Sequence, residues 1–321
     1  MTRNITKTAA ALTTAAALAT LVLANFLMAR RAERRHPPGG SFLTIEGVKL
    51  HYSDRGRGSP VVLIHGNAVS GDDWDISGVA DLLLRNHRVI TFDRPGFGYS
   101  ERPIGSLWTA RRQAHVIGLA LAHLGIERPA VVGQSWGTLV ALELALQPGA
   151  DLAGLVLVSG YYFPTWRPDA LIAAIGALPL IGDLMRYTIS PLLGLLQMPL
   201  QKWAMFSPAP VTDQFRTQYS DRMALRPKQL RATSQDGALM IPCAAAMQRH
   251  YQHLTLPVRI LAGAGDKIVF KKNSERLAGA IPDGTLRIIS GAGHMLHHTD
   301  PVAVVEAVNS LSKTVSLVPA A

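Results

Sequence analysis

Short apolar runs alternate with longer stretches of helical period along most of the chain. Residues 61–64, 88–92, 130–132, 155–158, 259–261 and 286–289 are runs rich in aliphatic residues, each ending near Gly, Ser or Asp. Such runs suit strands buried on both faces. Between them, residues 79–84, 110–124, 138–146, 274–281 and 302–311 repeat apolar positions at helical spacing. Strand alternating with helix predicts an α/β fold, a mostly parallel central sheet with helices on both faces. Ahead of it, residues 42–45 and 49–52 predict a hairpin that turns at Glu46-Gly47.

The alternation lapses between about residues 161 and 256. Apolar helical stretches at 171–184 and 191–200, several prolines and few strand signals predict a helical cap, 161–256, inserted between two parts of a core, 41–160 and 257–321. Pro179, Asp183, Arg186 and Pro191 interrupt its apolar runs short of the roughly 18 residues a span needs. They point to a lid over a pocket.

A different pattern opens the chain. From Thr8 to Ala29, 22 residues carry no charge. At about 1.5 Å per residue they can cross a hydrocarbon layer about 30 Å thick. Arg3 and Lys7 precede the stretch, and Arg30, Arg31, Arg34 and Arg35 follow it closely. Its length and these flanks favour an uncleaved N-terminal transmembrane helix, residues 1–40 forming anchor and linker. The alternative is a signal peptide cut near Ala17-Leu18-Ala19, with export of the rest. Two basic residues before the stretch and four after it favour the cytoplasmic side for the folded part. His36-Pro37-Pro38-Gly39-Gly40 then ends the helix and supplies a stiff spacer.

Composition narrows the classes. The 321 residues, 48% of them hydrophobic, suffice for one catalytic-size domain with an insertion. Cys243 is the sole cysteine, so no intramolecular disulfide forms. Half of the formal +10 charge lies in residues 1–40, six basic side chains against Glu33. No basic run interleaved with aromatics remains elsewhere, so nucleic acid is not an expected partner.

Chemistry concentrates in the loops after the strands. Gly133-Gln134-Ser135-Trp136-Gly137 follows one strand directly and opens a helix, the setting of a nucleophile elbow, whose glycines permit a tight, strained turn. Serine needs a base, and the base needs a group to orient it. His294 follows the strand at 286–289, and Asp266 follows the strand at 259–261. All three lie beyond the carboxyl ends of strands, in the order Ser, Asp, His, where parallel sheets place their sites. Asn67, after His65-Gly66, and Trp136, after the nucleophile, are the expected backbone donors to an oxyanion. His65 is expected to hold the loop. His297 and His298, and His250 with His253, lack a third ligand at a familiar spacing and are read as core or surface residues, so neither metal nor cofactor is implied.

These motifs resemble the α/β-hydrolase fold superfamily over about residues 41–311. The resemblance rests on His65-Gly66, on Asp93-Arg94-Pro95-Gly96-Phe97-Gly98-Tyr99-Ser100, on the elbow at Ser135, on the loop at Asp266, and on Gly293-His294 with Pro301 beyond it. It implies a serine hydrolase of the esterase kind with a helical cap, taking a small apolar substrate. Asn67 with Trp136 is similar to the halide cradle of haloalkane dehalogenases, but those and epoxide hydrolases use an aspartate where Ser135 stands. A tryptophan after the serine also occurs in proline iminopeptidases, whose oxyanion loop continues differently from His65-Gly66-Asn67-Ala68. Amidase, carbon–carbon hydrolase, lyase and cofactor-free peroxidase chemistries occur on the same fold, and a non-catalytic membrane-tethered binder is the rival from another class. No motif bears on oligomeric state.

Overall fold

The computed structural model describes residues 2–315. The first residue of the anchor and residues 316–321 of the expected core lie outside the described residues. Among the described residues eight strands form one sheet in the order β1-β2-β4-β3-β5-β6-β7-β8. They are β1 Ser41–Ile45, β2 Val48–Gly56, β3 Ser59–Ile64, β4 His87–Phe92, β5 Ala130–Gln134, β6 Gly154–Val158, β7 Val258–Gly263 and β8 Gly284–Ile289. The first two pairings are antiparallel and the rest parallel. Glu46 and Gly47 both take positive φ, 47° and 75°, the backbone that a tight two-residue hairpin turn demands.

Alternation along each central strand splits the core in two. Val62, Ile64, Ile90, Phe92, Val131, Leu155, Leu157 and Ile260 face one layer of helices, while Val61, Leu63, Val89, Val132, Val156 and Val158 face the other. The first layer comes from α4 (Ala110–His123) and α5 (Trp136–Ala145), the second from α3 (Val79–Leu83) and α14 (Pro301–Val315). Helix α1 (Thr2–Arg35) precedes the sheet and α2 (Asp73–Ile76) follows β3. β8 departs from the expectation of burial on both faces, because as the edge strand it has one neighbour and leaves most of its residues accessible.

Between β6 and β7 the chain is helical: α6 (Pro168–Ala177), α7 (Ile181–Tyr187), α8 (Ser190–Phe206), α9 (Asp213–Gln218), α10 (Asp221–Ala224) and α11 (Pro227–Met247). The stretch expected at 171–184 is two helices, since Pro179 cannot continue the first. The one expected at 191–200 instead runs to Phe206 through Pro199, and α11 likewise passes through Pro242. The remaining helices of the core are α12 (Lys272–Ala278) and α13 (Leu296–Thr299).

Helix α1 outruns the apolar stretch, because the residues from Arg30 to Arg35 are good helix formers. It is the one helix among the described residues long and apolar enough to cross a membrane, a property that spans and signal sequences share. Its last turns pack on the helical segment. Asn25 Nδ2 donates to the carbonyls of Tyr187 at 2.9 Å and Thr188 at 2.6 Å. Glu33 pairs with the buried Arg226 at 3.0 Å, and Tyr99 donates its hydroxyl to the His36 carbonyl.

Candidate active site

Strand β5 ends at Gln134 and α5 begins at Trp136, so Ser135 alone makes the turn. Its φ of 51° and ψ of −118° place a side-chain-bearing residue in sparsely populated backbone space, at a cost of roughly 1–3 kcal/mol. The Ser135 N–H donates to the Val158 carbonyl at 2.9 Å and fixes the turn against β6. The glycines answer a need other than the one expected of them, for neither has positive φ. A Cβ on Gly133 would lie 2.6 Å from the Gly137 oxygen, and one on Gly137 would lie 2.4 Å from the Ile64 oxygen. Close backbone approach selects glycine there, while the serine carries the strain.

Three side chains from distant loops meet at this turn. His294 Nε2 lies 2.9 Å from Ser135 Oγ, and His294 Nδ1 lies 2.8 Å from Asp266 Oδ2. The other oxygen of Asp266 accepts the N–H groups of Ile268 at 2.8 Å and Val269 at 2.9 Å. The carboxylate therefore accepts the Nδ1 proton, leaving the Nε2 lone pair for the serine hydroxyl. Asp266 and His294 are buried; Ser135 is half-buried.

The loop after β3 is set by Arg94, a guanidinium with no exposed surface. Its Nε donates to the His65 carbonyl at 2.9 Å and one terminal nitrogen to the Gly66 carbonyl at 2.8 Å. The N–H of Asn67 belongs to the same trans peptide as the Gly66 carbonyl, so it points the opposite way, away from Arg94. The Arg94 N–H donates to His65 Nε2 at 2.9 Å, which puts the ring proton on Nδ1, facing the Gly66 oxygen at 2.7 Å. Burial, aided by the Arg94 charge, pulls His65 down to about 3, so it stays neutral and holds the loop as expected. The Asn67 side chain is occupied, its Nδ2 donating to the Thr233 carbonyl at 3.1 Å and its Oδ1 accepting from the Ala68 N–H at 3.0 Å. Trp136 opens α5, where a helix leaves its N–H groups without intrahelical acceptors.

Sequence reasoning missed two buried carboxylates around this site. Asp236 of α11 accepts from Arg94 and from Arg102, each at 2.6 Å, and from Gln113 at 3.2 Å. Burial lowers the Arg94 guanidinium to about 10 and Asp236 opposes the shift, so Arg94 remains charged at neutral pH. Asp73 accepts from His297 Nε2 at 2.8 Å and His298 Nε2 at 2.9 Å, tying the start of α2 to the segment that carries His294. Both histidines are buried core residues; His250 and His253 are exposed. Burial works to raise the Asp73 pKa, but the two imidazoles outweigh it and hold the carboxyl well below its usual range. The three groups offer ligand atoms within 4.8 Å of one another, yet each Nε2 is already paired with a carboxylate oxygen, so hydrogen bonding accounts for the cluster. Only the adjacent His-His pair was legible in the sequence; its partner lies more than two hundred residues away.

Two cavities lie near the site, one reaching the chain at Ala68 and the other at Asp266. One of about 570 Å³ lies between α6, α8, α11 and the loop at Ala68, walled by Ile172, Leu193, Met198, Met205 and Phe215. The other, of about 560 Å³, opens beside Asp266 and is lined by Tyr161, Trp166 and Phe270. Both have the size and the apolar lining of small-molecule pockets.

Residues 59–301 match the family described as alpha/beta hydrolase fold. Haloalkane dehalogenase 2 of Mycobacterium tuberculosis is 33% identical over 118 residues, 36% of this chain and 40% of that protein. The 2-hydroxymuconate semialdehyde hydrolase of Pseudomonas putida is 34% identical over 158 residues, 48% of this chain and 55% of that one. The chain thus spans about half the length of these curated relatives. Among solved structures, a bacterial membrane phospholipase A superposes with a TM-score of 0.66 over 99% of this chain and 100% of its own at 19% identity, a likeness of fold.

Proposed function

Because this chain belongs to the α/β hydrolase fold family, we propose that Ser135, His294 and Asp266 form the catalytic triad of a serine hydrolase acting on carboxylic esters of apolar substrates. The carrying observation is the line of contacts from Asp266 Oδ2 through His294 to Ser135 Oγ, 2.8 and 2.9 Å long. Ser135 Oγ attacks the ester carbonyl while His294 Nε2 takes its proton. The N–H groups of Asn67 and Trp136 bind the oxyanion, and Asp266 stabilises the imidazolium. His294 then protonates the leaving alcohol, and water activated by the same imidazole cleaves the acyl-enzyme, returning Ser135. Helices α6–α11 serve as the cap, their apolar cavity over Ala68 taking the acyl part, and α1 serves as membrane anchor.

Dehalogenase chemistry is disfavoured on two counts. A serine stands in place of the aspartate, and one proton of the Asn67 amide is engaged by the Thr233 carbonyl. Carbon–carbon hydrolysis is the second reading, favoured by the Pseudomonas putida relative, since the same triad serves it. A p-nitrophenyl ester should give a burst of nitrophenol and a fluorophosphonate should label the protein once. Ser135→Ala should abolish both, lowering turnover by about 10⁴-fold or more. Undiminished hydrolysis in that variant would end the proposal, and turnover of 2-hydroxymuconate semialdehyde with no ester turnover would select the second reading.

A further inference from the structure

Helices α7 and α8 carry apolar side chains on their outward side, and α8 does so in addition to the apolar face that Met198 and Phe206 bury. Leu192, Leu196, Leu200 and Trp203 follow one another at intervals of four, four and three along α8, which stacks them on one helix face. Leu196 is 79% and Leu200 66% exposed. Leu180, Leu184 and Tyr187 make a second outward stripe across the start of α7 and along it, Leu180 at 82%. A surface of this kind on a protein marks a partner or a membrane.

The depth at which α1 meets these helices decides between them. Asn25 lies inside the uncharged stretch, five residues before Arg30, about 7.5 Å along the helix axis. An amide at that depth needs acceptors, because hydrocarbon offers none. It finds them in the carbonyls of Tyr187 and Thr188, at the corner between α7 and α8. That corner therefore sits at the same depth as Asn25, below the level of Arg30, Arg31, Arg34 and Arg35, whose charges match anionic headgroups. Interfacial helices bury their apolar faces by a comparable roughly 5–10 Å.

We propose that the outward face of α7 and α8 is a docking surface for a lipid bilayer, seated among the headgroups and upper acyl chains of the leaflet nearest Arg30. The inference rests on the reading of α1 as a membrane anchor and is independent of the ester chemistry. Helices α6 and α8 also wall the cavity over Ala68, so this seating places that cavity next to the lipid.

The test uses the full-length protein with Cys243→Ala in vesicles of phosphatidylethanolamine and phosphatidylglycerol. One polarity-sensitive fluorophore is attached at Leu196→Cys, at Ala19→Cys in mid-stretch, or at Asp151→Cys, which precedes β6 at the opposite end of the strands. Spin labels on the lipid, near the headgroup or near the chain terminus, report depth. Fluorescence at residue 196 should be lost chiefly to the shallow label, that at residue 19 chiefly to the deep one, and that at residue 151 to neither. Quenching at residue 19 without quenching at 196 would overturn this inference and leave the anchor standing; no quenching at 19 would overturn both. Self-quenching between copies at 196 in place of lipid quenching would assign the face to a second copy of the chain and likewise overturn it. Nitrophenyl ester turnover, followed in the same samples, reports on the triad separately.

Discussion

The two sides of the helical segment between β6 and β7 are held by different physics. Helix α11 is fastened by buried polar groups: Asp236 to Arg94 and Arg102, the Thr233 carbonyl to Asn67, and the Ala232 carbonyl to Arg102 at 3.1 Å. Helices α7 and α8 instead turn leucines outward. Directional bonds between buried charges allow one arrangement, whereas an outward apolar face fixes no partner by itself. The fixed side braces the loop that holds Asn67, the proposed oxyanion donor, and the other side meets whatever lies outside. The proposed catalytic site, which demands sub-ångström placement, and the proposed lipid-facing surface, which must tolerate a fluid partner, thus fall to separate helices.

The sharpest way to break this contrast is at Asp236. Its replacement by Ala leaves two buried guanidinium groups without their carboxylate, and chemical denaturation should show a loss of about 3–5 kcal/mol. A loss under 1 kcal/mol would mean that α11 is held by packing and not by this network. Acid should act more weakly, through His65 in the Arg94 network and through His297 against Asp73. His65 and His297 are drawn down to about 3 and about 4, by burial in both cases, so the unfolded chain binds protons that the folded chain refuses. Their contribution is intact above about pH 6.5 and fades as pH falls toward those values; at pH 5 each should cost about 2 kcal/mol relative to pH 7. Denaturation midpoints that stay constant from pH 7 to 5 would contradict it. On the outward side, Leu196→Gln should change the stability of the detergent-solubilised protein by no more than about 0.5 kcal/mol, because an exposed side chain has little packing to lose. A larger drop would show that α8 hides a protein contact.

Much of this was legible in the chain because its signals are local. The elbow at Ser135 reads directly from a strand, a turn and a helix in succession, and Asp266 and His294 each close an apolar run. What escaped depends on tertiary neighbours. Helix α11 was illegible because Pro242 reads as a breaker, although packing on α6 and α5 carries the helix through it. Arg94 stood within a quoted motif, but its task exists only once β3 and β4 lie side by side and bring the loop carbonyls to it. Asp73 carries no periodic signal, and its value comes from two histidines on the far end of the sequence. The end of α1 at Arg35 was legible in His36-Pro37-Pro38, although the uncharged stretch stops earlier, because charge, which stops a span, does not stop a helix.

The contacts that α1 makes with the rest of the chain bear on how the protein is best produced. A truncated form beginning at Ser41 would remove Glu33 from the side of Arg226, strip the amide from the Tyr187 and Thr188 carbonyls, and bare the surface that Ala32 covers. Purification in detergent with the leader in place keeps that wall intact, so the conventional trimming of an N-terminal hydrophobic segment before crystallisation is here the riskier choice.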